Sequence, residues 1–138
     1  MSINSIFIEK LRSSGLRPTI QRLKICEFLF DRKETFHFTI DELRKSISKK
    51  DDSKISLATI YNTVNAFISK GYLKEISLNA EKKYFDTNVS NHHHFFDEKT
   101  KELIDFHDND VQKIKLKKNI PGKKIKSIEV LVKVTNRE

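Results

Sequence analysis

Residues 55–71 read ISLATIYNTVNAFISKG and contain the clearest helical pattern of the chain. Ser56 suits the N-cap position, because a serine hydroxyl accepts a hydrogen bond from a free N–H group of the first turn. Gly71 suits the other end, because glycine adopts the left-handed conformation that terminates many helices. The apolar side chains between them recur every three or four residues, at Leu57, Ile60, Tyr61, Val64, Phe67 and Ile68. The pattern predicts a helix with Leu57, Ile60 and Val64 toward a core.

Three shorter helices are predicted before this one. The first follows a cap at Ser2 and ends at Gly15, with apolar residues at Ile3, Ile6, Phe7 and Leu11. Pro18 is predicted to open the second helix, where its missing N–H costs nothing. The apolar side of that helix would contain Ile20, Leu23, Cys26, Leu29 and Phe30. Thr39 and Glu42 form a capping box that starts a third helix, through about Ser48.

The pattern changes after Gly71. The runs YLKEISL and KKYFDT alternate as strands do, and they flank a turn at Asn79, Ala80 and Glu81. Several helices followed by a β-hairpin predict a winged helix-turn-helix over residues 1–86, an architecture that places one helix in the DNA major groove.

The remaining residues predict a small β-β-α-β domain over 92–138, joined to the first by a hinge at 87–91. Residues 92–96 and 102–106 flank the polar turn DEKTK, a helix would run from Asp108 to about Lys118, and Ile128, Val130, Val132 and Val134 alternate as a last strand. The fold class is therefore α+β. A unit this small has sheet edges to cover, which predicts a homodimer.

Composition narrows the possible functions. No apolar run approaches the roughly 18 residues that span a bilayer, the N-terminus does not resemble a signal peptide, and a single cysteine excludes an internal disulfide and a CxxC zinc site. These features predict a cytoplasmic protein without a membrane partner. Residues 1–83 contain 16 basic and 10 acidic side chains, a balance of +6 that fits a polyanionic partner.

The runs GLRPTIQRLKICEFL and ISLATIYNTVNAFISKGYL, followed by NHHHFFDEKTKELIDF, resemble the ferric uptake regulator family over about residues 10–110. The resemblance implies a metal-dependent transcriptional repressor that is not an enzyme and binds double-stranded DNA, at an AT-rich palindromic operator. The matching DNA-binding positions are Arg17, Thr19, Gln21, Arg22, Ser56, Thr59, Tyr61 and Asn62. Asn62 stands where many relatives have arginine, which puts the base contacts in question.

Strand alternation places His92 and His94 on one face and His93 on the other. The resemblance supplies further ligands by position, and the implied metal site comprises His37, Asp86, His92, His94 and Asp105. Nitrogen and oxygen ligands of this kind suit iron(II), manganese(II) or zinc(II). The site would join the two domains and fix the angle between them.

The chain also departs from the family pattern. It has no CxxC pair for a structural zinc, and Gln112, Ile128 and Glu129 stand where a second regulatory site is usual. The triple histidine and the missing cysteines resemble the iron response regulator branch, which implies regulation of iron-linked genes and haem as a further ligand. His93 is the candidate haem ligand, and the alternative is an exposed side chain without a role.

Two other interpretations remain open, and a third is disfavoured. Within the family, the chain would be a peroxide sensor or a zinc sensor. As a haem or metal buffer it would have no DNA function. A metalloenzyme using His92, His94 and an acid is disfavoured, because no HExxH-like pairing is present.

Overall fold

A computed structural model describes residues 3–50, 54–78 and 83–137. The chain divides into two compact units, Met1–Val89 and Ser90–Glu138. The division falls inside the segment 87–91 that the sequence suggests as a hinge, and the hinge itself stays a prediction.

The described residues of the first unit form four α-helices: α1 (Ile3–Ser13), α2 (Ile20–Phe30), α3 (Ile40–Lys50) and α4 (Leu57–Lys70). Their apolar faces meet in one core, which includes Phe7, Leu11, Ile25, Cys26, Leu29, Leu43, Ile47, Ile60, Val64 and Phe67. Burial of these faces holds short helices that would be marginal in isolation.

The predicted helix ends are confirmed where a side chain or a glycine fixes them. The Ser56 hydroxyl accepts the N–H of Thr59 at 3.1 Å. The Thr39 hydroxyl accepts the N–H of Glu42, also at 3.1 Å, and donates to Oε1 of Glu42 at 3.1 Å. Gly71 has a φ of 89° and ends α4 in the left-handed conformation.

Three expectations about helix starts are wrong. Pro18 precedes α2 instead of opening it, because Thr19 is the N-cap and its hydroxyl accepts the N–H of Arg22 at 3.2 Å. Ile20 is 74% exposed and Leu57 is 41% exposed, so neither belongs to the core. Both are the first residues of their helices, and the buried face of each helix begins after them.

A three-stranded antiparallel sheet completes the first unit. Its strands are β1 (His37–Phe38), β2 (Lys74–Ser77) and β3 (Lys83–Asp86), in the order β1-β3-β2. The strands β2 and β3 are those of the predicted hairpin, whose turn at residues 79–81 lies outside the described residues, as does the cap at Ser2. The register places His37 opposite Asp86.

The second unit contains the strands β4 (His92–Asp97), β5 (Leu103–His107) and β6 (Leu131–Val134), in the order β5-β4-β6. Strand β5 is antiparallel to β4, and β6 is parallel to it. The turn after β4 is held by Asp97, whose Oδ1 accepts the N–H groups of Lys99 at 2.8 Å and Thr100 at 3.2 Å.

The helix expected from Asp108 to Lys118 is absent. Only one turn of 3-10 helix forms, over Asp108–Asp110, and residues 111–130 contain no helix or strand. Lysines dominate this segment, and like charges at helical spacing destabilise a helix. The last strand also begins at Leu131 instead of Ile128, so the predicted β-β-α-β order is a β-β-β order here.

Among the described residues, no helix has both the length and the apolar character needed to cross a membrane.

Candidate metal centre and nucleic-acid interface

In the first unit, the pairing of β1 with β3 brings His37 to Asp86. The Nε2 atom of His37 lies 3.4 Å from Oδ2 of Asp86. The Asp86 side chain is buried, and its Oδ1 accepts the N–H of Asn88 at 2.8 Å. A buried carboxylate is costly unless hydrogen bonds or a cation compensate it, so this imidazole–carboxylate pair is suited to a cation.

In the second unit, His92 and His94 lie on one face of β4. Their ring centroids are 4.5 Å apart. Asp105 lies opposite His94 on β5, and its Oδ1 is 3.1 Å from Nε2 of His94 and 3.6 Å from Nε2 of His92. The alternation predicted for the three histidines is confirmed by these contacts, and one carboxylate oxygen is shared by two imidazoles.

The tautomer of His92 follows from its contact with the backbone. Its Nδ1 lies 2.7 Å from the carbonyl oxygen of Ser90. A carbonyl only accepts, so Nδ1 carries the proton and Nε2 of the neutral ring carries the lone pair. Metal-binding histidines are oriented in this way, with the other ring nitrogen donating to a carbonyl or carboxylate. Nε2 lies 3.6 Å from Oδ1 of Asp105, so a cation held between them would be bound by both atoms when the ring is neutral.

His93 lies on the opposite face of β4 and is 1% exposed. Its Nδ1 accepts the N–H of Val130 at 2.9 Å, and its Nε2 lies 2.7 Å from Oδ1 of Asp108. Both ring nitrogens are therefore engaged in the protein's own hydrogen bonds. The haem role expected of His93 is not supported, and neither is the alternative of an idle exposed side chain.

A cavity of about 550 Å³ adjoins His93 in the second unit. Its lining includes Asn91, Asp108, Gln112 and Ile128. Gln112 and Ile128 are two of the positions where the sequence departs from the family's second regulatory site, and an isoleucine offers no ligand atom. These two positions therefore supply neither an imidazole nor a carboxylate to this cavity.

The candidate DNA-contacting residues of α4 lie at its first turns. Ser56 and Asn62 are exposed, Tyr61 is 45% exposed, and Thr59 is half-buried. Ile60 and Val64 are fully buried beneath them. The exposed side of α4 therefore presents hydroxyl and amide groups close to a helix N-terminus, where partial positive charge favours an anion.

The candidate DNA-contacting residues near the start of α2 differ in their exposure to solvent. Arg17, Thr19 and Gln21 are exposed. Arg22 is half-buried, and its guanidinium donates to the carbonyl oxygen of Arg17 at 2.9 Å. Within the described residues its buried Nε has no hydrogen-bond partner. Arg17 is thus the more accessible arginine for a phosphate.

Cys26 is excluded as a thiolate ligand. It is fully buried in the core, and burial raises the pKa of its thiol to about 12. Because the thiolate is the species that binds metals and reacts with oxidants, this cysteine is chemically inert near neutral pH.

The five candidate ligands stay a prediction, and the sequence carries no signal for the groups that orient His92 and His93. The carbonyl of Ser90 fixes the His92 ring, and Asp108, expected as a helix cap, contacts His93 instead. Every residue has a backbone carbonyl, so the sequence does not mark the one that contacts His92. The contact of Asp108 with His93 joins residues 15 positions apart, which a local pattern does not show.

Comparison with known proteins matches residues 13–133 to the model of the ferric uptake regulator family. The chain is 38% identical over 100 residues to the peroxide-responsive repressor PerR of Staphylococcus epidermidis, a match that covers 72% of this chain and 65% of that protein. The match thus spans slightly less than two thirds of the relative's length. The PerR of Staphylococcus saprophyticus is 37% identical, with coverage of 72% and 66%.

The fold is similar to that of solved regulators. The ferric uptake regulator from Pseudomonas aeruginosa with manganese aligns with a TM-score of 0.70 at 20% identity, over 96% of this chain and 99% of that chain. The peroxide stress regulator of Campylobacter jejuni aligns with a TM-score of 0.59 at 22% identity, over 100% and 98%. The two staphylococcal relatives are named for peroxide, and they lend no support to the narrower iron response regulator branch. On the family model and the identity to the repressors, the chain belongs to the ferric uptake regulator family.

Proposed function

We propose that this protein is a transcriptional repressor whose binding to DNA is controlled by a divalent metal ion. The observation that carries the proposal is the geometry at His92, whose Nδ1 lies 2.7 Å from the Ser90 carbonyl oxygen while its Nε2 lies 3.6 Å from Oδ1 of Asp105. That arrangement prepares a nitrogen for a metal.

One ion would be held by residues of both units. The first unit contributes His37 and Asp86, and the second contributes His92, His94 and Asp105. What supports this set is that each unit by itself brings an imidazole within 3.4 Å or less of a carboxylate. The bound ion would fix the angle between the units, and its differential affinity for the DNA-competent arrangement would set the degree of repression.

Three nitrogen and two carboxylate ligands without sulfur suit iron(II), manganese(II) or zinc(II). Regulation of iron-linked genes is the primary expectation. The curated relatives named above as peroxide-responsive repressors favour a second candidate, a response to peroxide. Such a response would act through the bound metal, because the buried thiol of Cys26 does not supply a thiolate. Iron(II) reduces peroxide, whereas manganese(II) and zinc(II) do not.

DNA would be bound by the first unit, as a winged helix-turn-helix. The exposed residues at the start of α4 (Ser56, Tyr61 and Asn62), with Thr59, would approach bases and phosphates in the major groove. Near α2, the residues Arg17, Thr19, Gln21 and Arg22 would contact the backbone, which positions a protein without reading sequence.

The second unit would form the homodimer. Over the residues described, its sheet has three strands, and β5 lies at an edge with Ile104 47% exposed. A second copy would cover such an edge. Two recognition helices about 34 Å apart would then enter successive major grooves, which requires an operator with two-fold symmetry, expected to be an AT-rich palindrome.

The proposal is tested by selecting duplexes from a random pool with metal-free protein and with iron(II), manganese(II) or zinc(II) added separately. A palindromic sequence enriched only in the presence of metal supports it. A protein that binds metal but enriches no sequence is a metal buffer instead. Peroxide is then added to iron(II)-loaded and manganese(II)-loaded protein, which distinguishes a response to iron from a response to peroxide. If peroxide is sensed at the metal, only the iron form should lose its affinity for DNA.

A further inference from the structure

A lysine-rich loop, defined as residues 113–126, is a feature of the second unit to which the metal and DNA assignments give no role. It reads KIKLKKNIPGKKIK and contains seven lysines and no acidic residue. The chain has 27 basic and 19 acidic side chains, so without this loop the balance would be 20 to 19, or +1 instead of +8. The loop therefore carries +7, whereas the other residues of 84–138 contain 4 basic and 9 acidic side chains, a balance of −5.

The loop presents this charge to solvent. All seven lysines are exposed, and none forms a salt bridge within the part of the chain that the structure describes. At its tip the N–H of Lys123 donates to the carbonyl of Ile120 at 3.1 Å, across Pro121 and Gly122. Gly122 has a φ of 75°, as the third position of a type II turn requires. The turn reverses the chain and gives two arms that both carry lysines.

We propose that the lysine-rich loop binds the phosphate backbone of duplex DNA. It would be a second, sequence-independent DNA contact, outside the first unit. Uncompensated exposed lysines bind polyanions by releasing condensed counterions. The ammonium group is a point charge without the planar fork with which arginine reads guanine. The loop would therefore add affinity and salt dependence without adding base preference.

Two other binding partners, a membrane surface and a second copy of the chain, fit the loop less well. Anionic lipid would also attract the lysines, but stable membrane binding needs an apolar anchor as well. The exposed Ile114, Leu116, Ile120 and Ile125 form no continuous helix face, because residues 111–130 contain no helix. The same loop of a second copy would be repelled by seven like charges. A duplex offers a regular array of negative charge that needs no apolar face.

The test compares three variants on a duplex of random sequence. The first is Lys115→Gln, Lys117→Gln and Lys118→Gln together, and the second is Lys123→Gln, Lys124→Gln and Lys126→Gln together. The matched control replaces three exposed lysines elsewhere in the second unit, Lys99→Gln, Lys101→Gln and Lys133→Gln. All three variants lose the same charge.

Affinity is measured by fluorescence anisotropy between about 50 and 200 mM salt. Each loop variant is expected to lower the slope of log K against log salt by up to about 2.7, or 0.9 for each lost contact, with the control close to wild type. Equal slopes for the loop variants and the control would overturn the proposal. So would loop-dependent binding to vesicles containing anionic phospholipid with duplex affinity unchanged, or a loop-dependent change in sedimentation alone.

This inference rests on the proposed function only in taking DNA as the ligand. The two fail separately. Loss of slope in the loop variants, with no metal-dependent sequence preference in the wild type, would sustain the loop contact and reject the regulator. Unchanged slopes with metal-dependent operator selection intact would do the reverse.

Discussion

The backbone N–H of Val130 donates a hydrogen bond to Nδ1 of His93 at 2.9 Å, just before β6 joins the sheet. On its other side the ring contacts Asp108 at 2.7 Å. His93 thus links the segment before β6 to β4, while His92 and His94 lie on the opposite face of β4, near Asp105.

Replacing His93 by alanine should therefore destabilise the second unit without removing a metal ligand. The change leaves the Val130 N–H without its acceptor, which costs about 1–3 kcal/mol. Urea unfolding measures this loss. His93→Gln is the control, because its amide oxygen can accept the same hydrogen bond and should recover part of the stability. An alanine variant as stable as wild type would contradict the assigned role.

The turn at Asp97 should make stability depend on pH. Hydrogen bonds from the N–H groups of Thr100 and Lys99 lower the pKa of the Asp97 carboxyl from its ordinary value. A lowered folded-state pKa gives stability that is fully present above the unfolded pKa of about 3.9 and is lost as pH falls through the folded value.

The matched variant is Asp97→Asn, which keeps an acceptor for the turn but does not titrate. The difference in unfolding free energy between wild type and variant should favour the wild type near neutral pH and shrink below about pH 4. A difference that stays constant over this range would show that the Asp97 charge contributes nothing.

Cys26 should resist thiol reagents in the folded protein. With its pKa raised to about 12 by burial, almost no thiolate exists at about pH 8. Labelling by a chromogenic disulfide should be roughly 1,000-fold slower than for the urea-unfolded chain, whose thiol has a pKa of about 8.5. Rapid labelling without urea would reopen a cysteine-based response to oxidants.

Asn62 should read a base if it lies in the major groove. Asn62→Ala is expected to change the preferred base at one position in each half-site, at a cost of about 1–3 kcal/mol. Arg17→Ala should instead weaken binding to all sequences alike and lower the salt slope by about 0.9. Binding measured on a set of single-base operator variants distinguishes the two, and uniform weakening by Asn62→Ala would count against base readout.

Patterns that depend on local chemistry could be predicted from the sequence. The caps at Ser56, Thr39 and Gly71 follow from hydrogen bonds within a few residues, and the faces of His92 and His94 follow from strand alternation. Segment 108–118 forms no α-helix although Val111 and Ile114 have helical spacing, because repulsion between its lysines opposes a helix. The contact of His93 with Val130 joins residues 37 positions apart, and no local pattern encodes it.

The central claim is that one metal ion is shared by ligands of both units. Manganese(II) binding by wild type, His37→Ala, His94→Ala and His93→Gln tests it most directly, with DNA binding measured on the same samples. If the ion is shared, His37→Ala and His94→Ala should each lose metal binding and metal-dependent DNA binding together, while His93→Gln retains both. If His37→Ala binds metal as wild type does, the second unit holds the ion alone, and the shared site is wrong.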